Sequence, residues 1–358
     1  MISNFSEKSI IFFFLFTGVS LFSQSKILVY HETNEFRHSS IDVGIAMFED
    51  LGNLHGWTTD NSQNSSVFNT SNLAQYDAVV FLNTSGTDLL TSTEKAAMED
   101  FIANGKGFVG IHAATDTYRD KVWPFYNELV GAIVQTSPNH TDNNFNADME
   151  VVLSHPIINF LGPIGTVWNK DEEYYYWEEN GGQLSSDNTV LLEVESTGSN
   201  SYDAARPTTW YKESITYDHD NNPSTTNITL SGIRSFYTSL GHNESDYTSN
   251  MNFRNMIKTA TLWAIGNTLG VDKNDDLEFK IMPNPVKDTL ELFFTQLNED
   301  ALLRVYDITG KNIYRKSINA KNLQNQALQL NLSEYASGVY FFNVQTPSKH
   351  QSFKVVKN

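Results

Sequence analysis

The sequence predicts an α/β domain built on a parallel sheet covered on both faces, followed by a small all-β sandwich. Short, continuously apolar runs, Lys26-Ile-Leu-Val-Tyr30, Ala78-Val-Val-Phe-Leu82 and Gly107-Phe-Val-Gly-Ile111, alternate with amphipathic stretches. That is the pattern of strands buried on both sides with helices between them. From Phe279 onward the pattern changes to short strands about ten residues apart, the rhythm of a sandwich. A polar stretch over 267–278 separates the two regimes.

The elements follow in order. Lys8, the apolar run 10–22 (IIFFFLFTGVSLF) and Ser23-Gln24-Ser25 have the layout of a secretory signal, residues 1–23, cleaved after Ser23. The run is short for a membrane span, which wants about 20 residues; a buried N-terminal helix is the alternative. The first strand, 26–30, precedes a helix over 41–54, where Ile41, Ile45, Phe48 and Leu51 share one stripe. A weakly marked strand belongs within 57–68. The strand 78–82 leads to Thr91-Ser-Thr-Glu94, which has capping-box form and opens a helix to about Ala103, with Gly105 as its stop. The strand 107–111 follows. Residues 130–250 are less regular: 190–195 and 229–237 read as strands, and 212–227 (KESITYDHDNNPSTTN) as a polar loop. Phe253, Met256, Ile257, Ala260 and Trp263 form the stripe of a closing helix. The α/β domain therefore spans 25–267, the linker 268–278 and the terminal module 279–358. Asp272-Lys-Asn-Asp-Asp276 in the linker lacks the glycine and terminal glutamate of a calcium loop and reads as solvated chain.

Composition narrows the function. The 358 residues carry 42 acidic and 24 basic side chains, a net charge of −18. Such a surface repels phosphate backbones, so nucleic acid is not an expected partner. There is no cysteine, which excludes disulfides, thiolate metal sites and a cysteine nucleophile.

Five histidine-bearing stretches stand out: Phe36-Arg-His-Ser-Ser40, Gly110-Ile-His-Ala-Ala-Thr-Asp116, Asn139-His140, Ser154-His-Pro156 and Tyr237-Thr-Ser-Leu-Gly-His242. With Asp171-Glu-Glu-Tyr-Tyr175, Trp123-Pro-Phe-Tyr126 and Pro207-Thr-Thr-Trp210, in this order, they resemble the ThuA-like family, named for trehalose utilisation. The resemblance runs from about 26 to 266. It implies the doubly wound, flavodoxin-like sheet of class I glutamine amidotransferases and a link to carbohydrate metabolism, notably of 3-keto sugars. Two stretches depart from the family pattern: the longer loop at 212–227, and Asn243-Glu-Ser-Asp-Tyr-Thr-Ser249, which replaces an aromatic stretch. In the terminal module, Met282-Pro-Asn-Pro-Val286, Val305-Tyr-Asp-Ile-Thr-Gly310, Leu332-Ser-Glu-Tyr-Ala-Ser-Gly-Val-Tyr340 and Lys354-Val-Val-Lys357 resemble the sorting domain of the type IX secretion system. That implies export, with the secretion machinery as a partner; no later apolar run is long enough for a stable transmembrane segment.

Open α/β sheets bind ligands beyond the carboxyl ends of their strands. The loops at 31–38, 83–86 and 112–116 follow three such strands and should share one rim. Gly110-Ile-His112-Ala-Ala114 has the layout of a nucleophile elbow with histidine where amidotransferases place cysteine, which excludes glutaminase chemistry. His112 can act as acid or base, or ligate a metal such as zinc with His38, His242 or a carboxylate; spacing alone leaves both open. The candidate catalytic residues are His112, His38, Asp116, His242 and Glu173, with Asp116 either orienting His112 or capping a helix. Arg37, Glu172, Tyr175 and Trp177 are candidates for substrate binding. His155 reads as a helix-start residue, His140 stays open, and His31, His55, His219 and His350 read as surface or packing residues. The expectation is a secreted carbohydrate-active enzyme, a lyase or hydrolase acting on a glycoside or 3-keto sugar, with a non-catalytic sugar-binding module as the alternative.

Overall fold

A computed structural model of the protein describes residues 24–178, 184–220, 224–266, 279–294, 300–308, 311–320, 327–346 and 350–358. The signal segment 1–23, the linker 268–278 and the end of the turn Asp307–Gly310 lie outside the described residues.

The first region runs β1 (Ser25–Tyr30), α1 (Ser40–His55), β2 (Trp57–Ser62), α2 (Thr70–Leu73), β3 (Ala78–Leu82), α3 (Ser92–Ala103), β4 (Gly107–Ile111), α4 (Pro124–Val130), β5 (Phe145–Val151), β6 (Val167–Glu172), β7 (Thr189–Val194), β8 (Arg206–Tyr217), β9 (Ile228–Thr238), α5 (Glu244–Thr248) and α6 (Met251–Ala264). Its nine strands form one sheet in the order β2-β1-β3-β4-β9-β8-β7-β5-β6. Strands β2, β1, β3, β4 and β9 are parallel neighbours. The other four continue the sheet antiparallel.

The expected α/β architecture with helices on both faces is present, and alternation along the strands shows why. Ile27 and Val29 face a core shared with Phe48 and Leu51 of α1 and Met256 and Ile257 of α6. Leu28 and Tyr30 face a second core with Met98 and Ile102 of α3 and Phe125 and Leu129 of α4. Each central strand must be apolar throughout, because both its faces are covered. The capping box of α3 forms: Glu94 N donates to Thr91 Oγ1 at 3.4 Å, and Thr91 N to Glu94 Oε2 at 2.7 Å. Gly107 is required by packing, since a Cβ there would lie 2.2 Å from the Ala264 carbonyl oxygen of α6.

The sheet is not parallel throughout, and its antiparallel half is where the sequence reading fell short. β5 and β6 bury alternate residues only, so they lack the apolar runs that mark β1, β3 and β4. The first part of the stretch 212–227, read as a loop, instead carries β8 on to Tyr217, and β9 begins just after it at Ile228. A long two-stranded ribbon needs no apolar run, because its pairing is backbone to backbone.

The terminal region contains β10 (Phe279–Met282), β11 (Thr289–Phe294), β12 (Ala301–Tyr306), β13 (Asn312–Ile318), β14 (Ala327–Asn331), β15 (Gly338–Gln345) and β16 (His350–Lys357). They make a three-stranded sheet, β10-β11-β14, and a four-stranded sheet, β13-β12-β15-β16. Leu290, Leu292, Leu303, Phe342 and Val344 share its core. Among the described residues, no helix is long and apolar enough to cross a membrane.

Candidate functional site

The carboxyl ends of β1, β4 and β9 lie at one rim because these strands are parallel. β6 is reached from β9 through three antiparallel strands, so it points the same way and delivers its own carboxyl end to that rim. The segments leaving these four strands carry His38, His112, His242 and Glu173. One ligating atom from each lies within 4.8 Å of all the others.

His112 is the centre of the group. It leaves β4 with φ +46°, unusual for a residue with a side chain, and begins a short 3-10 turn, His112–Asp116. This is the elbow expected at this position. Its ring is fully buried. His112 Nδ1 donates to the Ser239 carbonyl at 2.7 Å, which directs Nε2 into the cluster. Around Nε2 lie His38 Nε2 at 3.2 Å, Glu173 Oε2 at 3.2 Å and the Tyr175 hydroxyl at 3.1 Å. Tyr175 also stacks on the imidazole, with ring centroids 4.6 Å apart. His242 Nδ1 is 3.4 Å from Glu173 Oε2. The other oxygen of Glu173 is 3.3 Å from His140 Nδ1, and His140 is a quarter exposed at the edge of the group.

The electrostatics follow from burial against charge. Burial, reinforced by the charge of His112, lowers His38 to about 2, so it is neutral at physiological pH. Burial also disfavours the His112 imidazolium, but its bond to Glu173 and the charges of Glu172 and Glu173 outweigh this and hold its pKa above the usual value. Burial works against the Glu173 carboxylate as well, yet the bonds from His112 and His242 hold it well below the usual carboxylate range.

The donor set fits a divalent metal. A tetrahedral ion with metal–nitrogen bonds of about 2.0–2.1 Å sets its ligand atoms roughly 3.3 Å apart; three of the six separations are 3.2, 3.2 and 3.4 Å, and all six lie within 4.8 Å. Nδ1 of His242 is buried and faces Glu173 Oε2 at 3.4 Å, as two atoms that share a cation would. The Ser239 carbonyl holding the far nitrogen of His112 is the outer support typical of metal-ligating histidines.

Several sequence candidates sit elsewhere. Asp116 turns to Ser85 at 2.5 Å and Arg119 at 2.5 Å, so it braces the neighbouring loops instead of joining the cluster. Glu172, proposed to bind substrate, is fully buried and binds Lys170 and backbone amides. It precedes Glu173 in an extended chain, where neighbours point to opposite sides. Trp177 is buried in the core, its indole donating to Pro207 O at 2.9 Å. Arg37 donates to the His31 carbonyl at 2.9 Å. His155 starts no α-helix: it accepts from Ile157 N at 3.3 Å and stacks on Tyr211. Two supports went unnoticed in the sequence. Lys170 lies under Glu172, and Arg206 Nε donates to the Tyr175 carbonyl at 2.7 Å.

Two family models match the chain. The family model described as trehalose utilisation matches residues 26–264. A second, described as secretion system C-terminal sorting domain, matches 280–358; it marks the chain for type IX secretion, to the medium or the cell surface. Nothing among curated proteins matches. Similar solved structures include a ThuA-like protein from Bacteroides uniformis, 20% identical with a TM-score of 0.49, covering 70% of this chain and 93% of that one. Another, from Parabacteroides merdae, is 15% identical with a TM-score of 0.48, covering 69% and 91%.

Proposed function

Since the chain belongs to the trehalose-utilisation (ThuA) family, we propose that it is a secreted enzyme acting on a glycoside or a 3-keto sugar derivative, with a divalent metal such as zinc held by His38, His112, His242 and Glu173. The observation that carries this reading is the convergence of those four side chains from four separate segments. A divalent ion bound there supplies Lewis acidity toward a sugar carbonyl or hydroxyl.

The protein's own groups supply the rest. His112, locked by Ser239 and walled by Tyr175, is a holding residue, because a fully buried ring does not meet a substrate. His140 is the proton carrier. Its Nδ1 bonds to the Thr141 carbonyl at 2.6 Å and faces Glu173, which leaves Nε2 with a lone pair. A ketone at C3 acidifies the neighbouring C–H bond. His140 takes that proton and returns one to the departing glycosidic oxygen, which yields elimination. Histidine suits both steps near neutral pH.

The test is product analysis on 3-keto and ordinary disaccharides, with and without a chelator. The reading expects cleavage of the 3-keto substrate, lost on chelation and restored by zinc. Binding of sugar with no product under any metal would establish a sugar-binding module instead.

A further inference from the structure

Behind the cluster lies a set of buried charges that the chemistry above does not use. Lys170, Glu172 and Asp246 are all nearly or fully buried. Lys170 Nζ donates to Glu172 Oε2 at 2.7 Å and pairs with Asp246 at 2.9 Å. Glu172 binds further. Its Oε2 accepts from Gly241 N at 2.9 Å, and its Oε1 accepts from Glu173 N at 3.0 Å and His242 N at 3.2 Å. One carboxylate therefore grips the backbone amides of two members of the cluster, Glu173 and His242, which lie 69 residues apart in sequence.

We propose that Lys170, Glu172 and Asp246 are positioning residues that register His242 against Glu173, so that the metal-binding set is preformed. Lys170 neutralises the carboxylate that holds both backbones. Asp246, on α5, ties the segment after His242 to the same ammonium. This gives a role to 243–249, the stretch that departs from the family pattern: it carries Asp246 and the fully buried Tyr247. A hydrophobic replacement of similar volume would serve packing equally well, since buried ion pairs are poor stabilisers. What such a replacement cannot do is accept three N–H bonds at one point. The arrangement is therefore explained by the geometry it imposes.

The inference rests on the metal-binding reading, and a double-mutant cycle on zinc affinity separates the two. In the full-length secreted chain, Glu172→Gln should weaken zinc binding about 10- to 100-fold, the usual effect of losing an outer support. In a His242→Ala background the same substitution should cost clearly less, because only one of the two ligands that Glu172 registers, Glu173, remains. Far-ultraviolet dichroism and melting of the metal-free proteins establish folding. If Glu172→Gln does not fold, the cycle is run with Asp246→Asn, which keeps the Lys170–Glu172 pair, with the same expected coupling. Equal losses in both backgrounds, or wild-type affinity in a folded Glu172→Gln protein, would overturn the positioning role. Wild-type protein that binds no zinc would overturn the metal reading, and this inference with it.

Discussion

Replacing Gly241 by alanine tests the turn that delivers His242. Gly241 has φ +113°, and a Cβ there would lie 2.6 Å from Tyr247 Oη, 3.0 Å from Phe253 Cζ and 3.1 Å from Ile111 Cγ2. None of these can retreat: all three residues are buried, and the Tyr247 hydroxyl donates back to the Gly241 carbonyl at 2.9 Å. Backbone strain of about 1–3 kcal/mol adds to overpacking of about 1–3 kcal/mol, so about 4 kcal/mol is expected. At about 2–4 °C per kcal/mol for a domain of this size, the melting temperature should fall by roughly 8–16 °C. Gly56 supplies the control, with φ +92° and nothing within 4 Å of its virtual Cβ. Gly56→Ala should cost strain alone, about 1–2 kcal/mol. Thermal melts of both variants, with zinc affinity measured beside them, decide the matter. Gly241→Ala should be the more destabilised and should also bind zinc more weakly, because Glu172 holds the 241 and 242 amides. A Gly241→Ala protein no less stable than Gly56→Ala, with unchanged zinc affinity, would refute the packing described for this turn.

Glu173 and Glu172 favour the His112 imidazolium beyond its usual range, and that ring must be free of its Nε2 proton to ligate. The sign is that zinc affinity falls as pH drops through the His112 pKa, and is regained as pH rises above it. Zinc titrations across a pH series read this, and an affinity independent of pH contradicts the assignment. His140→Gln should leave zinc stoichiometry intact and lower kcat about 10²-fold; unchanged turnover would remove His140 from the chemistry. Thr91→Ala breaks the capping box of α3 and should cost about 1 kcal/mol, read as a small fall in melting temperature, and a melt identical to wild type would contradict it.

How much of this could be read beforehand depended on whether a residue's environment was set locally. β1, β3 and β4 are buried on both faces, so they announced themselves as apolar runs, and a parallel sheet then put the loops carrying His38 and His112 at one rim. His242 followed from β9. The choice between Glu172 and Glu173 was not local. Which of two adjacent carboxylates faces the rim depends on the register of β6, set by pairing with β5. Lys170 left a usable trace, since Lys170 and Glu172 are two apart and share a strand face. His140 stood out with Asn139 as a histidine-bearing stretch, but its place was not legible: it reaches Glu173 through an isolated bridge to Tyr175, a tertiary contact with no periodicity. Trp177 shows the opposite failure, an aromatic that looks like a sugar platform but fills the core.

The central claim is that four side chains from four segments hold one divalent ion. Equilibrium dialysis of the secreted protein against zinc, with metal content measured per chain, tests it most directly. One ion per wild-type chain is expected, with none retained at the same free zinc by His112→Ala or by a His38→Ala/His242→Ala double variant that remains folded. Equal zinc content in wild type and both variants, or none in any of them, would contradict the account.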